Sequence, residues 1–240
     1  MEYKYAKNQN YEDFASGRVL YHMGGEPTFP VRLALEIYER CRQYSAKKKD
    51  ITIYDCCCGG AYMLTVLGIL KADTIARIYA SDIDPGSIKL ANDNLGLLTD
   101  AGLKKRRNEL EALYKNYGKQ SHREALESLE RIEKLISDNL ITANITTDVF
   151  IRNATEPGKL SFVPDIIITD VPYGNMTNWN ESSGGVNQLM DALFEICGQD
   201  TIICICTDKK QKIQTQRYQR LEKQLVGKRK FEIFKKLDLF

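Results

Sequence analysis

Apolar residues along the 240-residue chain fall into short runs set apart by polar, glycine-bearing turns. Residues 51–57 (ITIYDCC), 164–170 (PDIIITD) and 201–207 (TIICICT) are apolar stretches of strand length, which predicts strands buried on both faces of a sheet. Residues 77–82 and 146–152 predict two more strands. Elsewhere the apolar positions recur at helical spacing. Val31, Leu35, Ile37, Tyr38 and Cys41 predict a helix with Thr28 as N-cap and Pro30 in its first turn, ending near Lys47–Lys49. Residues 61–71, 86–98 and 186–197 predict further helices. Strands alternating with helices in this way point to an α/β fold with a parallel sheet. The chain then predicts a basic helix at 212–226 and a last strand at 229–237.

Residues 99–140 break the alternation. Leu110, Leu113, Tyr114 and Tyr117, then Leu126, Leu129, Ile132 and Ile136, predict two amphipathic helices with Gly118 between them. This is a helical hairpin inserted in the α/β frame, either an arm for a substrate or a bracket over one edge of the sheet. Residues 1–27 are polar and turn-rich and read as an N-terminal extension. The expectation is one domain over 1–240.

Composition adds little until charge is mapped. At 43% hydrophobic and 28% charged residues the chain resembles an ordinary globular protein. No apolar run reaches the roughly 18 residues that would suggest a membrane span, and the N-terminus has no apolar stretch like that of a signal peptide. The expectation is a cytoplasmic protein, a monomer because no apolar patch demands a partner copy. Net charge is +2, but residues 208–240 hold 11 Lys+Arg against 4 Asp+Glu, while the rest holds 23 against 28. A basic end on a slightly acidic body fits a polyanion partner; on composition alone, a solvated basic face is the simpler reading.

Three strand tips carry candidate chemistry. The first is Asp55-Cys56-Cys57-Cys58-Gly59-Gly60-Ala61, a strand running through a small-residue turn into a helix. Such a turn lets backbone approach a ligand closely, and the helix start offers free N–H groups. The cysteines point away from a metal. Adjacent residues on a strand face opposite sides, so three in a row do not converge on a tetrahedral ion. The seven cysteines are odd in number and sit in apolar runs, as small core residues do. A catalytic cysteine would need His22 or His122, neither of which lies beside a motif. The second tip is Asp82, 23 positions after Gly59, where an acidic residue can hold the hydroxyls of a ribose; Asp84 fits a helix cap instead. The third is Asp170-Val171-Pro172-Tyr173-Gly174. Asp170 can accept a hydrogen bond from an exocyclic amine, Pro172 stiffens the turn, and Tyr173 can stack on a flat base. A purely structural turn is the competing reading of that stretch taken alone.

Together, Asp55 to Ala61, Asp82 and Asp170 to Gly174 resemble the motifs of Rossmann-like, S-adenosylmethionine-dependent methyltransferases with an N/D-P-P-Y motif. The segments 16–41, 55–68, 80–98 and 169–179 are more closely similar to the AviRa family, avilamycin-resistance methyltransferases of large-subunit ribosomal RNA. The resemblance implies a mostly parallel open sheet with helices on both faces. It implies S-adenosylmethionine as cofactor, ribosomal RNA as partner, a guanine base as target, no metal, and resistance to orthosomycin antibiotics or a housekeeping modification. It implies a cofactor site of Asp55, Cys57, Gly59, Gly60, Ala61, Asp82, Ile83, Asn153 and Ala154, with Asn153 reading the adenine amine and Ile83 against the ring. Asp170, Pro172 and Tyr173 would receive the target base, and Arg18, Lys209, Lys210 and Arg217 would contact RNA phosphates. Ala61 stands where the family pattern has Gly and is expected to narrow the cofactor pocket; Val171 replaces the first Pro of N/D-P-P-Y. The alternatives are a methyltransferase for DNA, tRNA or protein, or a non-catalytic RNA-binding protein on the same fold.

Overall fold

The alternation of side chains along each central strand sorts the core into two halves. The computed structural model describes residues 1–15, 17–22, 28–138, 145–171 and 185–237. Within them β1 (Ile51–Asp55), β2 (Ile75–Asp82), β3 (Thr146–Ile151), β4 (Ile166–Asp170), β5 (Ile202–Asp208), β6 (Tyr218–Val226) and β7 (Arg229–Lys236) form one sheet in the order β3-β2-β1-β4-β5-β7-β6. β1 to β5 run parallel, and β7 enters antiparallel between β5 and β6. Ile51, Ile53, Ile166, Ile168, Ile202 and Cys204 face one side, where they pack with α1 (Val31–Tyr44), α2 (Tyr62–Leu70) and α3 (Pro85–Gly96). Tyr54, Ile167, Ile203 and Ile205 face the other, against α6 (Gly185–Ile196). Strands buried on both faces read as unbroken apolar runs, which is why 166–168 and 202–206 were legible.

The insertion is a helical hairpin, α4 (Asp100–Tyr117) and α5 (Gln120–Asp138), turned at Gly118. Its apolar faces join the first core half through Leu103, Leu110, Leu129 and Ile132. Asp84 caps α3 and Thr99 caps α4 through side-chain oxygens, the local chemistry expected of such residues. No helix among the described residues is long and apolar enough to cross a membrane.

Three local expectations are corrected. Residues 212–226 are not a helix: 218–226 form the edge strand β6, paired with β7 across a turn at Gly227–Lys228. Its charged residues suit both a solvated helix face and a sheet edge, where charges prevent further pairing. Glu222, bound by Arg40 of α1, ties this strand to the body. The first helix takes Pro30, not Thr28, as N-cap, with no side-chain cap bond. β1 ends at Asp55, so Cys56 and Cys57 belong to the turn.

Candidate active site

β1, β2, β4 and β5 each end on an aspartate, so Asp55, Asp82, Asp170 and Asp208 share the carboxyl edge of the sheet. Ligands of open α/β sheets bind beyond that edge. The turn after Asp55 is held by carboxylates and by one amide. Asp55 Oδ1 accepts the Cys57 N–H at 3.1 Å. Asp82 Oδ2 accepts the Gly59 N–H at 2.9 Å and its Oδ1 accepts the Asp84 N–H at 3.0 Å. Gly59 sits at φ 50°, a conformation glycine adopts freely, with open space where a Cβ would stand. Gly60 lies against α3, where a Cβ would come within 2.5 Å of Leu90. The fully buried Asn94 donates to the Gly60 carbonyl at 2.8 Å and clasps both backbone groups of Tyr21, at 2.8 and 3.0 Å. The N-terminal segment is thereby fastened beside the glycine turn. A cavity of about 190 Å³ lies between them, walled by Tyr21, His22, Phe29, the 57–60 turn, Asp55 and Asp170.

Electrostatics single out two of these carboxyls. Burial raises the Asp55 pKa to about 7, and the Asp82 and Asp170 charges push the same way. Burial raises Asp170 to about 6, opposed by the Arg229 guanidinium, which lies 3.2 Å from Oδ2. Asp170 Oδ1 is buried with no hydrogen-bond partner among the described residues. The thiols play another part. Cys56 packs into the α6 half of the core and Cys58 into the α1–α3 half. The Cys57 thiol is pushed up by a hydrogen bond with Cys56 and by burial, and that of Cys58 by burial, so both are protonated at neutral pH. Neither is a ready nucleophile. Among the described residues no cluster of His, Cys, Asp or Glu is placed to hold a metal ion.

The family model described as rRNA methyltransferase AviRa matches residues 1–229. The chain belongs to the AviRa family. It is 35% identical over 232 residues to the 23S rRNA (guanine(2535)-N(1))-methyltransferase of Streptomyces viridochromogenes, covering 95% of this chain and 92% of the relative. The solved structure of the rRNA methyltransferase AviRa from Streptomyces viridochromogenes superposes with a TM-score of 0.87 at 30% identity, over 98% of this chain and 96% of that one. TrmN from Thermus thermophilus shares the fold alone, with a TM-score of 0.51 at 10% identity over 89% of this chain and 51% of TrmN. The chain is accordingly an enzyme of the methyltransferase class, which implies S-adenosylmethionine as its methyl donor.

Within this AviRa-family frame the anticipated residues divide. Asp55, Cys57, Gly59, Gly60 and Asp170 line one cavity. Asp82 is bonded to that turn, and Ile83 beside it is 63% exposed, a bare apolar side chain at a strand tip. Ala61, next to the turn that lines the cavity, has its methyl buried in the core at φ 53°. Asn153 follows β3 next to Asp82, since Arg152 donates to the Asp82 carbonyl. Its side chain is spent on its own turn, bonding Thr155 and Glu156. Ala154 packs against the α6 half of the core. Pro172 and Tyr173 lie outside the described residues.

The anticipated RNA contacts also separate. Arg18 is paired with Glu12 and Glu124, knitting the N-terminal segment to α5. Lys209 and Lys210 are exposed just past β5, on the same edge as the crevice, and Lys209 N–H bonds to the Lys228 carbonyl. Arg217 precedes β6 at the opposite edge, over the Phe194 ring. Sequence reasoning passed over Asn94 and Arg229 and set His22 apart from any motif, although it lines the cavity. A polar residue on the buried face of a helix was the one available sign of Asn94.

Proposed function

We propose that the chain transfers a methyl group from S-adenosylmethionine to a guanine base of large-subunit ribosomal RNA, acting as one catalytic domain and as a monomer in the cytoplasm. The meeting of Asp55 and Asp170 on one cavity, with Asp82 bonded to the Gly59 turn that lines it, in a chain matched to the AviRa family over residues 1–229, carries this reading. The cofactor supplies a methyl already activated on a sulfonium and brings net positive charge. Burial and the neighbouring carboxylates that raise the Asp55 pKa suit such a ligand, because a cation placed beside them relieves the repulsion. Asp55 with the Gly59–Gly60 turn holds the methionine end, Asp82 the ribose hydroxyls, and Ile83 covers the adenine, with the loop at Asn153 and Ala154 beside it. Asp170, with Pro172 and Tyr173, takes the target base. The Streptomyces relative is named for N1, a ring nitrogen that carries a proton, not for an exocyclic amine. For N1 the task of Asp170 becomes to accept that proton as the base attacks. Lys209 and Lys210 bind RNA phosphates on the rim. The modified nucleotide lowers ribosomal sensitivity to orthosomycins.

The test is transfer of tritium from labelled S-adenosylmethionine to ribosomal RNA lacking the modification, followed by mapping. The expected result is label in a single guanosine of the large-subunit RNA. Label in tRNA, DNA or protein, with none in that RNA, overturns the substrate; cofactor binding without transfer to any of them favours a non-catalytic RNA binder.

A further inference from the structure

The strand order sets up an unusual neighbour for Asp170. Parallel strands deliver their last residues to the carboxyl edge of the sheet. β7 runs the other way, so it delivers its first residue, Arg229, to the same edge, opposite Asp208 of β5. From there the Arg229 guanidinium reaches across to Asp170 at the tip of β4, at 3.2 Å, with both side chains mostly shielded. Its Cζ also stands 5.4 Å from the centre of the Phe29 ring, a buried wall of the cavity. A guanidinium set between an aromatic ring and a carboxylate has little freedom left.

We infer that Arg229 is a positioning residue for methyl transfer, holding Asp170 by Oδ2 so that Oδ1 is left for the target base. The inference rests on the proposed role of Asp170. The geometry that carries it is the division of labour between the two oxygens: Oδ2 is bound, while Oδ1 is buried with no partner among the described residues. In the reaction the N1–H pair of electrons forms the new bond to the methyl carbon, the proton passes to Asp170 Oδ1, and the S–C bonding pair stays with sulfur. Asp170 must be ionised to receive that proton. The groups facing it are Arg229 from β7, Asp55 from β1, the buried thiol of Cys206 from β5, and His22 across the cavity, with Asp82 of β2 beyond Asp55. Among these, Arg229 is the cation in contact. Burial raises the Asp170 pKa and Arg229 counters it.

The experiment compares wild type, R229M, R229K and D170N in steady-state kinetics on ribosomal RNA between pH 5.5 and 8.5, with thermal melts as a folding control. R229M is expected to lower kcat by about tenfold to a hundredfold, as misplacement of a reacting group does. Its acid limb is expected to move up by about one pH unit, because a neighbouring positive charge is gone. KM for the cofactor is expected to stay within about threefold of wild type. R229K keeps the charge but neither the fork nor the stacking, so its acid limb stays near wild type while kcat falls. Wild-type kcat and acid limb in R229M overturn the inference. Inactive D170N beside unaffected R229M leaves the Asp170 reading standing and sinks that of Arg229; near-normal D170N sinks both. Should R229M fail to fold, R229K decides, and a kcat equal to wild type overturns the proposal.

Discussion

Asp55 shows how much a single position can be asked to do. Its folded pKa, about 7, lies above its ordinary value of 3.8 because it is buried among other carboxylates. The folded state therefore keeps a proton that the unfolded chain gives up near pH 4. The stabilising contribution is present in full below that value and is lost as pH rises towards 7. Asp55→Asn removes the penalty while its amide oxygen can still accept the Cys57 N–H. Cofactor-free D55N protein is expected to be more stable than wild type at pH 8 by on the order of 2 kcal/mol, with the gap closing at pH 4. Its affinity for S-adenosylmethionine is expected to fall at least tenfold, through loss of charge complementarity. Melts at both pH values and calorimetry check this; lower stability at pH 8 would count against the burial argument. The residue was legible in sequence because a strand tip, a glycine pair and a helix start follow one another locally. Arg229 and Asn94 were not, because their meaning lies in partners 59 and 73 positions away, Asp170 and Tyr21.

At the scale of elements, the helical hairpin turns out to be more than a cover. Arg106 of α4 is buried and donates to the Val19 carbonyl at 2.8 Å and the Arg18 carbonyl at 3.0 Å, with its guanidinium 4.3 Å from the Tyr21 ring. Tyr21 in turn donates to Glu109 of the same helix at 2.8 Å. The hairpin thus clamps the segment whose Tyr21 and His22 form one wall of the cavity. Arg106→Ala leaves two carbonyls without their donor and should cost about 2 kcal/mol. It should also raise KM for the cofactor severalfold while the depth of the acid limb of kcat is unchanged. A melt and a cofactor titration separate this from a merely structural bracket, which predicts lost stability with an unaltered KM. The hairpin itself was readable because each helix has its own apolar stripe and Gly118 marks the turn. β6 was not: between 218 and 226 its charges and scattered apolar residues fit two periods. Only pairing with β7 and the Arg40–Glu222 contact decide for a strand. Burial in a sheet can override local preference in this way.

For the whole molecule, the uneven charge seen along the chain becomes a matter of which edge each cation occupies. Among the described residues, the basic stretch 208–237 does not form one patch. Lys209, Lys210 and Lys228 stand exposed on the carboxyl edge with the crevice, and make no ion pair among the described residues. Arg217, Lys235 and Lys236 lie towards the opposite edge, where Lys235 is paired with Asp200. On the proposed role of Asp170, an RNA strand whose guanine enters beside it would pass the first group and not the second. Each phosphate that a lysine neutralises releases condensed counterions, so affinity falls with salt in proportion to the number of such contacts. Replacing Lys209, Lys210 and Lys228 by alanine together is expected to weaken ribosomal RNA binding at low salt by about tenfold or more and to flatten the plot of log affinity against log salt by roughly two, at about 0.7 per contact on single strands. Affinity for S-adenosylmethionine should not change. Arg217→Ala is expected to leave both the affinity and the slope as they are. Equal losses from the two replacements, in filter binding between 50 and 200 mM salt, would mean that RNA wraps the far edge as well, and that the crevice edge is not the face on which the substrate lies.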